Sequence, residues 1–222
     1  MRNLCLLLLL GYFLAGCAPK YPTLFENPVC EPPCWQNITP GVTTYQDALT
    51  RLEKIYPGDK QVTDHTQSPI GFDDEIRFSP YNDFSLTGYM DISNNGVSSI
   101  GFEIDSKYSG IKLDHSIELF GEPQNILLIQ SGEFDQVTLI NAKKGTALGY
   151  KLFGNQSVTS AEISSDVEIR EIDFFDPNQY QLILNSGYFS AGLLSSDQII
   201  NALHPWNGYG SFRDKYWPPA SH

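Results

Sequence analysis

Apolar positions along this chain change period in a way that separates helices from strands. Between Thr44 and Tyr56 they recur at helical spacing, with Ala48, Leu49, Leu52 and Ile55 or Tyr56 on one face. Thr44 with Asp47 three residues on is an N-cap pair, and Pro57-Gly58 ends the segment. The period then falls to two: Ile76 and Phe78, then Leu86, Tyr89 and Ile92, then Val97, Ile100, Phe102 and Ile104. Asn94-Asn95-Gly96 separates the last two runs and signals a tight hairpin, because these residues tolerate positive φ. The pattern predicts a helix over 44–56 and a strand over 97–104, within an antiparallel meander.

The order then repeats. Ile111, Leu113, Ile117, Leu119 and Phe120 predict a second short helix with Asp114 early in it. Gly121-Glu122-Pro123 stops it: Gly takes a left-handed cap and Pro prevents continuation. Strand-like runs follow at 126–130, 137–141, 148–153 and 167–175, with Lys144-Gly145 as a turn. Beyond residue 175 the pattern changes. Asp176 caps a short helix over 177–184, and Ser195 or Ser196 with Gln198 opens another, stopped by His204-Pro205. The expected fold class is α+β, with helices packed on one face of an antiparallel sheet in two tandem helix-plus-meander units. Those units are 37–108 and 109–175; C-terminal helices and an aromatic tail fill 176–222.

Composition supports a folded, sheet-rich body. Apolar residues make up 41% and charged residues only 18%, too apolar for a disordered chain. Thirteen Phe and twelve Tyr, with many Ile, Val and Thr, favour strands. A net charge of −12 argues against nucleic acid and against electrostatic adhesion to anionic lipid.

The first seventeen residues have an organisation of their own. Arg2 precedes an apolar stretch, Leu4 to Leu14, interrupted only by Gly11, and Leu14-Ala15-Gly16-Cys17 closes it. The stretch is shorter than the ~20 apolar residues that span a bilayer. Leu three residues before a Cys, with two small residues between, resembles the lipobox of bacterial lipoprotein precursors. The resemblance implies that 1–16 is a removed signal peptide and that Cys17 becomes an acylated N-terminus. Its palmitate-like chains would then anchor the protein to membrane. Ala18 instead of Asp implies the outer membrane where a host has one, and otherwise the outer face of the cytoplasmic membrane. The alternative is ordinary signal cleavage with a free Cys17.

Residues 17–36 follow as a lipidated, Pro-rich tether in which Pro19, Pro22, Pro28, Pro32 and Pro33 prevent helix. Trp35 is expected to dock its end onto the body. Cys30 and Cys34 read as a disulfide closing a small loop in an oxidising compartment. A redox pair or a metal site is the rival, although the spacing is not Cys-x-x-Cys and no His lies nearby.

A second resemblance covers the body. Ile38-Thr39-Pro40-Gly41-Val42-Thr43-Thr44 before a helix, and Leu119-Phe120-Gly121-Glu122-Pro123 after one, are similar to the SmpA/OmlA (BamE-like) lipoprotein group. That architecture is shared with beta-lactamase-inhibitor-protein-like modules. The resemblance implies a helical layer on one face of an antiparallel sheet, and a protein partner at the cell envelope.

Catalytic signatures are absent from the sequence. There is no Gly-x-Ser-x-Gly, no His-Glu-x-x-His, no phosphate-binding Gly loop and no EF-hand spacing, and His65, His115, His204 and His222 are scattered. Asp73-Asp74-Glu75 and Asp173 to Asp176 are acidic clusters, expected on a solvated face, with cation binding the alternative. Trp206, Tyr209, Tyr216 and Trp217 form an aromatic tail that either caps the sheet or presents a binding surface. The expectation is a non-catalytic protein-binding or scaffolding module of the envelope, without cofactor, metal or nucleic acid. The alternative is a glycan-binding or glycan-hydrolysing lipoprotein that uses those aromatics.

Overall fold

A computed structural model describes residues 25, 28–57, 62–66, 73–79, 86–108, 110–130, 134–153, 161–190, 194–216 and 220–221. The signal segment, Cys17, Trp217 and His222 lie outside the described residues.

Helix α1, Tyr45–Ile55, forms where the 3.6-residue period places it. The Thr44 hydroxyl accepts the Asp47 N–H at 3.2 Å and donates to the Asp47 carboxylate at 2.9 Å, so two polar groups of the first turn satisfy each other. Ala48 and Leu52 are buried under it. Strands β1 (Val62–Thr66), β2 (Asp74–Phe78), β3 (Leu86–Ser93) and β4 (Gly96–Ile104) follow as an antiparallel meander. Asn94 and Asn95 turn the β3–β4 hairpin with φ of 50° and 61°, as the two-residue loop requires.

Ile111–Lys112 is not helical. It is a short strand, β5, and helix α2 runs over Leu113–Phe120. Gly121 has φ 90° but ψ 160°, so the chain leaves the helix extended and heads straight into the next strand instead of adopting a left-handed cap. Then come β6 (Asn125–Gln130), β7 (Phe134–Asn141), β8 (Thr146–Phe153), β9 (Glu162–Ile163), β10 (Glu168–Ile169) and β11 (Glu171–Phe175). Beyond these lie α3 (Tyr180–Asn185), α4 (Ser196–Ala202), β12 (Leu203–Pro205), β13 (Gly210–Ser211), α5 (Phe212–Lys215) and β14 (Ala220–Ser221). The Ser195–Gln198 capping box starts α4.

One sheet joins the strands in the order β1-β2-β3-β4-β11-β8-β7-β6-β12, and β14 pairs with β6. All its pairings are antiparallel except β14–β6. The last strand of the second segment, β11, closes the gap between the two meanders by pairing with both β4 and β8. The boundary at 108/109 therefore does not divide two cores: Phe102, Phe174 and Phe120 belong to one buried cluster.

Helices lie on both faces of this sheet, which corrects the one-face expectation. Residues of α1, α2 and α5 join the larger cluster on the first face, and Ile183, Leu184, Ile199 and Ala202 of α3 and α4 join a second cluster. The cause is in the strands. Ile126 and Leu128 point to the first cluster whereas Leu127 and Ile129 point to the second, as do Phe174 and Phe175 respectively. An unbroken apolar run of this kind needs cover on both sides. Strands β2, β3 and β4 instead alternate, and only their first face is apolar.

The described part of the Pro-rich segment, residue 25 and residues 28–36, packs on the body. Trp35 is buried and stacks on Phe78 at 5.4 Å, and Phe25 meets Phe102 edge-on at 5.2 Å. Between them the Cys30–Cys34 disulfide is formed, with Cα atoms 5.6 Å apart. Large aromatic rings at 25 and 35 gain from leaving water, and their burial fixes these two points of the stretch on the body.

Candidate functional site

Alternation along β2, β3 and β4 leaves their second face polar, and α3 and α4 cover only the neighbouring part of the sheet. Among the described residues the remaining part is a cleft of about 300 Å³, walled by Tyr188 and Phe189. Its floor carries five carboxyl groups, Glu75, Asp91, Glu103, Glu171 and Asp173, against two cations, Arg77 and Lys151.

Register explains how these side chains meet. Arg77, Tyr89, Gly101 and Asp173 form one cross-strand row over β2, β3, β4 and β11. The Tyr89 ring lies over Gly101, where any Cβ would collide with it. This opening lets the Tyr89 hydroxyl cross β4 and donate to Asp173 Oδ1 at 2.8 Å. Tyr188 donates to the same oxygen at 2.9 Å from the wall. Gln136 Nε2 donates to the Phe189 carbonyl at 3.3 Å, tying that wall to β7.

A second row runs Thr87, Glu103, Glu171, Gly149, Thr138. Glu171 leans over Gly149, whose missing Cβ would fall 2.8 Å from its carboxylate, and pairs with Lys151 Nζ at 2.9 Å. Arg77 pairs with Glu75. Ser99 Oγ donates to Asp91 Oδ2 at 2.5 Å.

Crowded carboxylates in a desolvated floor resist ionisation. Burial, then the Glu171 charge, push Asp173 up to about 7, although both tyrosine hydrogen bonds pull the other way. Burial and the adjacent Glu171 also raise Glu103, against Lys151 and Arg77. Burial opposes the Lys151 ammonium, yet Glu171 and Glu103 hold its pKa above the ordinary value.

Two sequence expectations change here. Asp173 is no solvated surface residue, being 7% exposed, and Glu75 is likewise buried. Period two was the signal: Thr87, Tyr89 and Asp91 alternate on β3 as Glu171 and Asp173 do on β11, so all face one way. Asp176 separates from Asp173 and caps the turn before α3, accepting the Asn178 N–H at 2.9 Å.

The aromatic tail does not assemble on this cleft. Tyr216 is fully buried, accepts the Asn207 N–H at 3.0 Å and donates to the Gly208 carbonyl at 2.6 Å. Trp206 stacks on it at 6.0 Å and packs against the first-face core, and Tyr209 is exposed beside Trp206. Trp217 lies outside the described residues. Burial removes Tyr216 from any ring surface that the described part of the tail could present. Among the described residues no group of three His, Cys, Asp or Glu is arranged to hold a metal ion.

Comparison with protein-family models and with curated proteins found no match. Among solved structures the chain is similar to an extracellular protein containing a SCP domain from Bacillus anthracis str. Ames, at 8% identity and a TM-score of 0.30. The likeness covers 70% of this chain and 50% of that one, so the chain spans about half the length of that protein.

Proposed function

We propose that this chain is an exported bacterial lipoprotein, anchored through acylated Cys17, whose α+β body is a non-catalytic binding module for a protein partner of the cell envelope. The cleft on the second sheet face is its working surface. The observation that carries this reading is the half-covered sheet: the described helices seal the apolar part of the second face and stop short of a polar floor built on six strands and walled by Tyr188. Such a floor is rigid, because each side chain stands on hydrogen-bonded backbone, and rigid sites lose little entropy on binding. The Cys30–Cys34 disulfide agrees with an oxidising, exported setting. The lipobox residues Leu14-Ala15-Gly16-Cys17 supply the anchor.

The test places a photoreactive benzophenone side chain at Thr87 in the cleft and, as a control, at Leu182 on the exposed side of α3. Illumination of intact cells should join an envelope protein to the first variant and not to the second. Equal labelling from both positions, or none from Thr87, would sink the proposed surface.

A further inference from the structure

Among the described residues the close ion pairs of the cleft are Glu75 with Arg77 and Glu171 with Lys151, and Glu103 feels Lys151 and Arg77 only at longer range. Glu103 faces Glu171 directly across β4 and β11, and like charges in that register repel. At the far end of the same row Thr138 is only 3% exposed, lines the cleft, and its Oγ1 has no hydrogen-bond partner among the described residues. A buried hydroxyl left unsatisfied costs stability unless something else completes it. Two features of different kind, a carboxylate set against a like charge and an orphaned hydroxyl, thus share one cross-strand row.

We propose that the cleft binds an elongated organic cation, its ammonium or guanidinium group seated at Glu103 and a second polar group bonded to Thr138 Oγ1. This rests on the cleft being the working surface described above and adds the ligand's chemistry. Three strand spacings separate Glu103 from Thr138, ~14 Å between backbones. Less the reach of the two side chains, the ligand's polar groups stand roughly 10 Å apart. The cation relieves the Glu103–Glu171 repulsion and the second group satisfies Thr138. A lysine or arginine side chain presented by a protein loop meets this description together with the backbone amide of a neighbouring residue, and so does a free polyamine.

The experiment is calorimetric titration of the purified full chain with spermidine, with butylamine, and with acetyl-Lys-Gly-Gly-amide. Variants Glu103→Gln and Thr138→Val are titrated alongside. Expected is salt-sensitive binding, weakened about tenfold by E103Q, as loss of a charged hydrogen bond implies. T138V should weaken the long probes several-fold and leave butylamine unchanged. Binding of the peptide alone assigns the cation to a protein partner, and binding of spermidine alone assigns it to a small molecule. No binding by either long probe, or affinities indifferent to both substitutions, overturns the proposal. Cross-linking from Thr87 without amine binding would overturn this inference and leave the docking surface standing; amine binding without cross-linking would do the opposite.

Discussion

Tyr89 hydrogen-bonds Asp173 across an intervening strand, because Gly101 between them has no side chain to block the ring. Positions 89 and 173 are 84 residues apart, so this contact ties the first meander to the strand that completes the second.

Gly101 should therefore be intolerant of substitution. Gly101→Val would drive the Tyr89 ring off its path, and overpacking of this kind costs about 1–3 kcal/mol. Tyr89→Phe keeps the packing and removes only the hydroxyl. Urea denaturation should show the valine variant to be the less stable of the two; a denaturation midpoint equal to that of the parent would contradict the placement of the ring.

Stability should fall as pH rises through the interval between the ordinary aspartate range and about 7. Burial raises Asp173 in the folded state, so the folded chain holds that proton more tightly than the unfolded chain does across the interval. Glu171 and Asp91 add to the effect, and Tyr89 and Tyr188 oppose it. Below the interval both states are protonated and no penalty remains; above it the penalty is complete. Asp173→Asn should flatten this slope and match or exceed the parent in stability at pH 8. A variant with the parent's pH profile would show that Asp173 ionises normally.

Trp35 and the disulfide should contribute unequally. Trp35 fills the first-face core against Phe78 and Phe102, and its replacement by Ala should cost about 3–5 kcal/mol. Cys30 and Cys34 close a loop of four residues' separation, worth about 2 kcal/mol in chain entropy. Paired serine substitutions at 30 and 34 should thus leave a folded chain, more stable than Trp35→Ala. The reverse ranking would mean that the loop, rather than the ring, holds the N-terminal segment in place.

Cys17→Ser should release the protein from membranes into the soluble fraction and abolish labelling by a fatty-acid analogue. Undiminished labelling would remove the proposed anchor.

Local periodicity determined most of the elements. Helix α1, the Asn94-Asn95 hairpin, strands β6, β7 and β8, and the capping box of α4 all form within reach of their own sequence, because backbone geometry imposes 3.6 or 2 residues per repeat whatever lies elsewhere. The run Ile126-Leu127-Leu128-Ile129 even held the signal for two covered faces. Tertiary structure decided the rest. Insertion of β11 between β4 and β8 brings Asp173 to Tyr89 and Glu171 to Glu103, and depends on which distant edges pair, a choice made by burial over the whole sheet. The chain itself marked Asp173 only as one of several acidic residues. Its burial, its two tyrosine partners and the orphaned Thr138 beyond Gly149 exist only once five strands lie side by side.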